Sequence, residues 1–221
     1  MESVLKDLLD LHRKKREELV LDWARSSRDN FTHSTKGPID LPLYPCKIIL
    51  LLVPSETYQD THRYSVNEIK HKFLRPLNCQ NWNHFYNFAG LFTKCTENKA
   101  TYVQFYRTGI IEAVDTTLLD KEKKIIPSEI LKTILTESLQ DYLSFYKVLQ
   151  IELPIFLFLS FTNIGEFALS TPTETSKLRI PSNQWYLEIP EVPINNFSIP
   201  AEEWLKPCLD ILWNTFGYRK S

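Results

Sequence analysis

The chain has 221 residues, of which 43% are hydrophobic, 13% aromatic and 24% charged. This balance is typical of a folded globular domain and excludes a disordered or fibrous chain. The formal net charge of −1 excludes a strongly basic domain of the kind that binds nucleic acid over its whole surface. The length is sufficient for one large domain with a well-buried core.

Glycine and cysteine patterns narrow the function classes. The five glycines stand alone, so the chain has no GxGxxG fingerprint, no Walker-type phosphate loop and no GxSxG nucleophile elbow. The four cysteines form no CxxC pair, and no signal peptide opens the sequence. The longest apolar run, 48–53, is too short to span a bilayer. We therefore expect a cytoplasmic protein in a reducing compartment, without a membrane segment.

The first 28 residues predict a helix. Its apolar residues recur near spacings of three and four: Leu5, Leu8, Leu9, Leu19 and Trp23. This apolar stripe is interrupted by charges, and the following 26–45 is polar and carries three prolines. We predict a helical arm and linker at 1–40 and a single α+β domain at 41–221. The arm is expected to bind a protein partner or a second copy of the chain.

Apolar runs and turn signals predict an antiparallel sheet. Residues 46–53 form a continuous apolar run, which is typical of a central strand covered on both faces. Three strand candidates follow: 83–92, 101–107 and 110–115. Thr108-Gly109 is typical of a tight turn between the last two. We interpret 83–115 as an antiparallel meander.

The second half of the chain predicts a long helix at 127–149, with Pro127 in its first turn and a wide apolar face that packs across the sheet. The remaining expected elements are a strand at 151–161, a weaker strand at 185–189 and a C-terminal helix at 201–216. Pro154 should confine regular pairing to the residues after it, and Pro207 should kink the last helix or make it restart. The fold class is therefore α+β, with a mainly antiparallel sheet, a long covering helix, an N-terminal helical arm and a C-terminal helix.

The order of several short motifs resembles a known family. The motifs are KIILLLVP, LRPL, NWNHFYNFAGLF, YVQFYRTGIIEAVD, IIPS before the long helix, PIFLFLSF and PCLDILWNTFGYRKS. Together they resemble the carboxy-terminal region of bacterial proteins that carry an amino-terminal Schlafen AlbA_2 domain, over residues 45–221. The resemblance implies an accessory domain of a bacterial intracellular protein, sometimes linked to nucleic-acid handling or defence. It transfers no catalytic residue, and the ATP-binding or DNA-binding labels of that family belong to the AlbA_2 domain, for which the chain has no room before residue 45.

A candidate binding surface lies in the stretch 75–115, where aromatic residues alternate with amides and charges. The residues selected for it are Arg75, Trp82, Asn83, His84, Asn87, Arg107 and Glu112. On a strand, Asn83 and Asn87 project on one face and His84 on the other. As a pocket, the amides and Arg75 would orient a ligand while an aromatic ring stacks on its planar group. In the alternative interpretation, the amides satisfy backbone groups of a turn and the rings fill the core.

Charged residues around the turn at 108–109 allow an enzyme as an alternative. Arg107 and Glu112 are expected to form a cross-strand ion pair. The enzyme hypothesis is a phosphate-handling hydrolase or nuclease, and its residues would be His84, Glu112 and Asp115, with Arg75 and Arg107 on the phosphate. It requires these side chains to converge on one reacting atom.

Metal and nucleic-acid sites are weaker alternatives. Cys79, His84 and Cys95 offer zinc-type donors at irregular spacing, so we predict no metal and no cofactor and interpret the cysteines as small buried hydrophobes. The basic run 13–16 is diluted by the acidic residues after it and is interpreted as a solvated helix face rather than a nucleic-acid contact. The predicted function is a non-catalytic interaction or sensing domain. The alternatives are the enzyme above and a nucleic-acid-binding module.

Overall fold

A computed structural model of the chain describes residues 2–34, 38, 46–59, 63–66, 69, 71–97, 100–173, 175–176 and 178–219, with the backbone alone for 2–10, 12, 13, 59 and 71. The helices are α1 (Glu2–His33), α2 (Ser128–Leu149) and α3 (Ala201–Thr215). The strands are β1 (Lys47–Pro54), β2 (Trp82–Tyr86), β3 (Gly90–Cys95), β4 (Thr101–Tyr106), β5 (Ile111–Asp115), β6 (Ile125–Pro127), β7 (Ile155–Thr162), β8 (Ala168–Ser170), β9 (Tyr186–Glu188) and β10 (Val192–Ile194). These elements confirm the predicted α+β fold class.

The main sheet is antiparallel, in the order β10, β7, β1, β5, β4, β3, β2, and β9 also pairs with β7. A separate parallel pair joins β6 to β8. All eight residues of β1 are buried between its neighbours β5 and β7. The prediction of a central strand covered on both faces is confirmed.

The predicted meander is present, but its first member is a hairpin rather than one strand. Residues 83–92 fall into β2 and β3, and the chain reverses at Asn87. Asn87 and Gly90 exchange backbone hydrogen bonds of 2.9 and 3.2 Å, and the side-chain Oδ1 of Asn87 accepts from Gly90 N at 2.8 Å. A Cβ at Gly90 would lie 2.1 Å from the carbonyl oxygen of Phe105. Only glycine therefore permits this close approach to β4.

Helices α2 and α3 cover one face of the sheet with an apolar core. Ile48, Leu50 and Leu52 of β1 belong to this core together with the buried face of α2. The rings of Phe105 and Phe145 meet edge to face at 5.1 Å. The long helix therefore lies across the sheet as predicted.

Helix α3 is continuous through Pro207, so the predicted restart is wrong, while the predicted kink stays a prediction. Proline removes the hydrogen bond that its backbone N–H would donate to the carbonyl four residues earlier. That carbonyl belongs to Glu203, which is exposed, and water can therefore satisfy it. No helix within the described ranges combines the length and the apolar content that crossing a bilayer requires.

Helix α1 lies against the opposite face of the sheet, which we call the α1 face. Val20, Ala24 and Thr32 are buried, and the ring of Phe31 packs on that of Tyr106 at 5.2 Å. The second half of the predicted arm thus packs on the domain. The described side chains of its first half, at 11 and 14–19, are exposed.

Candidate functional site

The predicted site residues are divided between the two faces of the sheet. One register row crosses the sheet through Phe85, Phe92, Gln104, Glu112 and Leu51. This row lies on the α1 face, since Leu51 packs in the cluster that contains Val20 and Ala24. His84 lies opposite Thr93, in a row that continues through Val103 of the α2 core. Asn83 and His84 therefore project to opposite faces, as the strand pattern predicts.

Glu112 is the centre of a buried polar network on the α1 face. Only 5% of the residue is exposed, and its carboxylate accepts hydrogen bonds from Tyr106 at 2.8 Å and Tyr102 at 3.2 Å. Burial raises the pKa of Glu112 to about 7, although the two phenol donors and the charge of Lys47 act in the opposite direction. Burial in turn lowers the pKa of Lys47. The carboxyl group therefore changes its charge near neutral pH while shielded from solvent.

The predicted ion pair between Arg107 and Glu112 is not formed. Glu112 bonds to the two tyrosines instead, and Arg107 lies beyond the end of β4, where its Nε donates to the carbonyl of Phe88 at 3.3 Å. Gln104, directly opposite Glu112, accepts from Asn87 Nδ2 at 2.8 Å. The side chain of Glu112 thus lies on the α1 face of the sheet, whereas that of Arg107 lies at the turn after β4.

The side chains of the enzyme hypothesis do not converge. The carboxylate of Asp115 accepts hydrogen bonds from Thr101 Oγ1 at 2.7 Å and from the backbone N–H of Leu118 at 2.6 Å. Asp115 therefore stabilises the turn after β5. Its position, three residues after Glu112 on one strand, places the two carboxylates on opposite faces. His84 is exposed and stands three strand spacings, roughly 14 Å, from Ala113 beside Glu112. These groups cannot act on one reacting atom in this arrangement.

Arg75 lies at a different place and is engaged by α2. Its guanidinium is 3.1 Å from Glu137 and 3.4 Å from Asp141, and its carbonyl accepts from the hydroxyl of Tyr142 at 2.7 Å. Arg75 therefore attaches the segment before β2 to the covering helix. It lines a cleft different from the one that Arg107 lines.

The amide of Asn87 satisfies turn and sheet groups, which agrees with the alternative interpretation of the strand edge. Strand β2 is the edge of the sheet, and Trp82 is only partly buried there. Phe85, Tyr86 and Phe88 are exposed. The rings of this segment therefore do not fill the core.

Sequence reasoning missed a disulfide bond between Cys79 and Cys95. The two residues are 16 positions apart, and nothing in that spacing indicates pairing. Because both sulfurs are bonded, neither offers a thiolate to zinc, and the described residues contain no group of three metal-ligating side chains. The argument for a reducing compartment also loses its support from these two cysteines. Cys46 and Cys208 are free thiols.

Sequence reasoning also missed a cleft of about 560 Å³ beside the turn between β4 and β5. Its lining residues are Arg63, Phe88, Ala89, Tyr106, Arg107 and Thr108. Arg107 was selected from the sequence. Arg63 was not, because it reaches the cleft through a tertiary contact that no local sequence pattern indicates. The hydroxyl of Tyr106 connects this cleft to Glu112.

Comparisons with known proteins give no relative: no family model matches the chain, and neither a curated protein nor a solved structure matches it. The resemblance to the region that follows the Schlafen AlbA_2 domain therefore stays a prediction.

Proposed function

We propose that this protein is a non-catalytic interaction domain that associates with a second copy of itself through the first half of α1. The observation that carries the proposal is the exposure of the side chains that the structure describes in this half, at 11 and 14–19. Leu11 is 63% exposed and Leu19 is 48% exposed, on a helix whose later turns are packed on the sheet.

The length and continuity of α1 support this role. The helix has 32 residues and spans about 48 Å. Its second half is fixed by Val20 and Ala24 in the core and by Arg25, whose guanidinium pairs with Glu191 at 2.5 Å. A helix anchored at one end presents its other end in a defined direction, which lowers the entropy cost of association.

Charge complementarity favours a second copy as the occupant. Lys14 and Lys15 lie one helical turn before Glu18, and all three residues are exposed. In an antiparallel pair of helices, the basic turn of one copy lies against the acidic turn of the other. Opposite charges that flank an apolar seam set partner choice and orientation in helix pairs.

The chemistry of the site supports a non-catalytic role, because the acid, base and phosphate-binding candidates occupy different faces and segments. The order of the motifs supports a further part of the proposal, namely that the chain is an accessory domain in a bacterial intracellular system. The hydrolase or nuclease alternative lacks a shared site for His84, Glu112 and Asp115.

Sedimentation velocity of the whole chain over a wide concentration range tests the proposal. We expect a dimer in the wild type and a monomer in the double variant Leu11→Glu, Leu19→Glu. The matched control is Ile130→Glu, because Ile130 is an equally exposed apolar residue on α2. A wild type that stays monomeric, or a dimer that survives the double variant, contradicts the proposal.

A further inference from the structure

The end of α1 lies across the strand that carries Glu112. The ring of Phe31 packs on that of Tyr106 in β4 at 5.2 Å, and Thr32 Oγ1 donates a hydrogen bond to Ser160 Oγ in β7 at 3.4 Å. Strands β5 and β1 lie between β4 and β7 in the sheet. The last turn of α1 therefore spans β5 on the α1 face, where the carboxyl group of Glu112 is buried.

Two side chains connect the end of α1 to this buried carboxyl group. Tyr106, which packs on Phe31, donates a hydrogen bond from its hydroxyl to Glu112 at 2.8 Å. Lys47 donates from Nζ to the carbonyl of Ser34 at 3.2 Å, and its positive charge lowers the pKa of Glu112. Ser34 directly follows the last residue of the helix. A change of charge at Glu112 therefore acts on the two side chains that contact the end of α1.

Apolar packing contributes little to the attachment of this end. Among the described side chains of α1, the buried hydrophobic ones are Val20 and Ala24, and both lie about two turns or more before the helix ends. The last turns are held by the partly buried ring of Phe31 and by polar contacts, such as His33 Nε2 to Glu188 Oε1 at 3.3 Å. Segments with few buried apolar contacts open at a lower free energy than the core.

Charged and titratable groups come from each element around this contact. They are Glu112 of β5, Tyr102 and Tyr106 of β4, Lys47 of β1, Glu188 of β9, and Arg28, Asp29 and His33 of α1. Burial raises the pKa of both tyrosines, so their hydroxyls remain donors near neutral pH. Burial lowers the pKa of Lys47, so its titration favours the docked helix at high pH. His33 pairs with Glu188 only when it carries a proton.

Glu112 holds its proton more tightly under the docked helix than in contact with water. Burial raises its pKa to about 7 while α1 is docked, and exposure to water returns the pKa to its ordinary range. Docking is therefore favoured most below pH 4.5 and becomes less favourable as the pH rises through 7.

We propose that Glu112 is a pH-sensitive switch for the end of α1: residues 24–33 are docked on the sheet while Glu112 is protonated, and its ionisation shifts them toward a released state. Release lets water hydrate the carboxylate, which the docked helix prevents. Because short helical segments are marginal in water without tertiary packing, a released end loses its helical hydrogen bonds. The switch is independent of association through the first half of α1, because none of these contacts involves residues 11–19.

Hydrogen exchange of the whole chain at pH 5 and at pH 8, corrected for the intrinsic exchange rate at each pH, tests the proposal. The equilibrium constant for opening of residues 24–33 should be about tenfold or more larger at pH 8. At each pH it should also exceed the opening constant of the buried turns of α2 by about tenfold or more, because the end of α1 opens without global unfolding.

Variants identify the titrating group. Glu112→Gln keeps an acceptor for the tyrosines and should abolish most of the rise between pH 5 and pH 8. Tyr106→Phe keeps the ring against Phe31 but removes a donor that lowers the pKa of Glu112, so the rise should extend to higher pH. The matched control is His33→Asn, which should retain the rise. Protection of α2 confirms that each variant is folded.

Three results would overturn the proposal. One is an opening constant of residues 24–33 that is the same at pH 5 and pH 8 in the wild type. Another is an opening constant equal to that of α2, which would mean that the end of α1 opens only when the whole chain unfolds. The third is a rise that His33→Asn abolishes and Glu112→Gln retains, which would assign the switch to the contact between His33 and Glu188.

Discussion

The two faces of the central sheet are built differently. On the α2 face, Ile48, Leu50 and Leu52 meet an apolar helix surface, and the core is continuous. On the α1 face, a smaller apolar cluster surrounds buried polar groups, among them Glu112 and Gln104. The α2-face core is mainly aliphatic and aromatic, and the buried hydroxyls of Tyr142 and Tyr146 in it donate hydrogen bonds to backbone carbonyls.

The two faces should differ in how their stability depends on pH. Burial of Glu112 carries a free-energy cost that depends on its protonation, whereas burial of an aliphatic side chain does not. Helix α1 covers this face with few fully buried side chains, and ion pairs at its surface supplement them. The α1 face is therefore the side on which a buried carboxyl with a raised pKa makes stability depend on pH.

The largest expected effect is a cavity in the α2 face. Leu139 is fully buried in α2, and Leu139→Ala should lower the free energy of unfolding by about 3 to 4 kcal/mol. Val20→Ala on α1 removes less buried surface and should cost about 1 kcal/mol. Urea denaturation of both variants measures the two values. Equal decreases in the free energy of unfolding would show that the two faces do not differ in packing as described.

Next in size is the pH dependence of stability that Glu112 produces. Its pKa is about 7 in the folded chain and ordinary in the unfolded chain, so the folded state holds the proton more tightly. This tighter proton binding contributes to the free energy of unfolding. The contribution is fully present below pH 4.5 and is lost as the pH rises through 7, to a total of about 3 kcal/mol.

The variant Glu112→Gln keeps an acceptor for the tyrosine hydroxyls and does not titrate. Relative to the wild type, it should therefore gain about 3 kcal/mol in unfolding free energy between pH 4.5 and pH 8. Denaturation curves recorded over this pH range measure the difference. Parallel pH profiles of the wild type and the variant would show that Glu112 is not the titrating group.

The disulfide should contribute slightly less than this to the free energy of unfolding. Cys79 and Cys95 close a loop across a separation of 16 residues, for which loop entropy predicts about 3 kcal/mol and measured values are often lower. The double variant Cys79→Ser, Cys95→Ser should lose about 2 to 3 kcal/mol, and its stability should no longer respond to a reductant. Thiol titration of the wild type in denaturant should find two free thiols. Four would refute the pairing.

The smallest expected effect concerns the attachment of α1. Arg25 pairs with Glu191 in a two-point contact at the surface, with Nε 3.2 Å from Oε2 and Nη2 2.5 Å from Oε1. Arg25→Ala should cost about 0.5 to 1 kcal/mol, and less at high salt. Arg25→Lys keeps the charge and should retain part of the stability. A salt-independent loss in the alanine variant would point to side-chain packing instead.

Much of the fold was predictable because its signals are local. The apolar run of β1 and the helical periodicity of α2 were confirmed, and so was the turn at Thr108-Gly109. The hairpin at Asn87 was missed, because its reversal depends on the contact of Gly90 with β4. An alternating strand pattern in the sequence does not indicate a contact between two strands.

The candidate site was predictable only in part. Arg107 and Glu112 were selected because charged residues flank a turn, yet their pairing depends on which direction each side chain takes. Tyr102 and Tyr106 donate hydrogen bonds to Glu112 only because β4 and β5 pair in this register, which the strand pattern alone does not show. Arg63 and the disulfide join segments that are distant along the chain, and no periodicity encodes such contacts.

Hydrogen exchange, followed by mass spectrometry at low and at high protein concentration, is the decisive test of self-association through α1. We expect amides in the first half of α1 to exchange more slowly at high concentration, because a second copy covers this half, while the protection of α2 stays constant. Identical exchange of residues 11–19 at both concentrations would contradict self-association through α1.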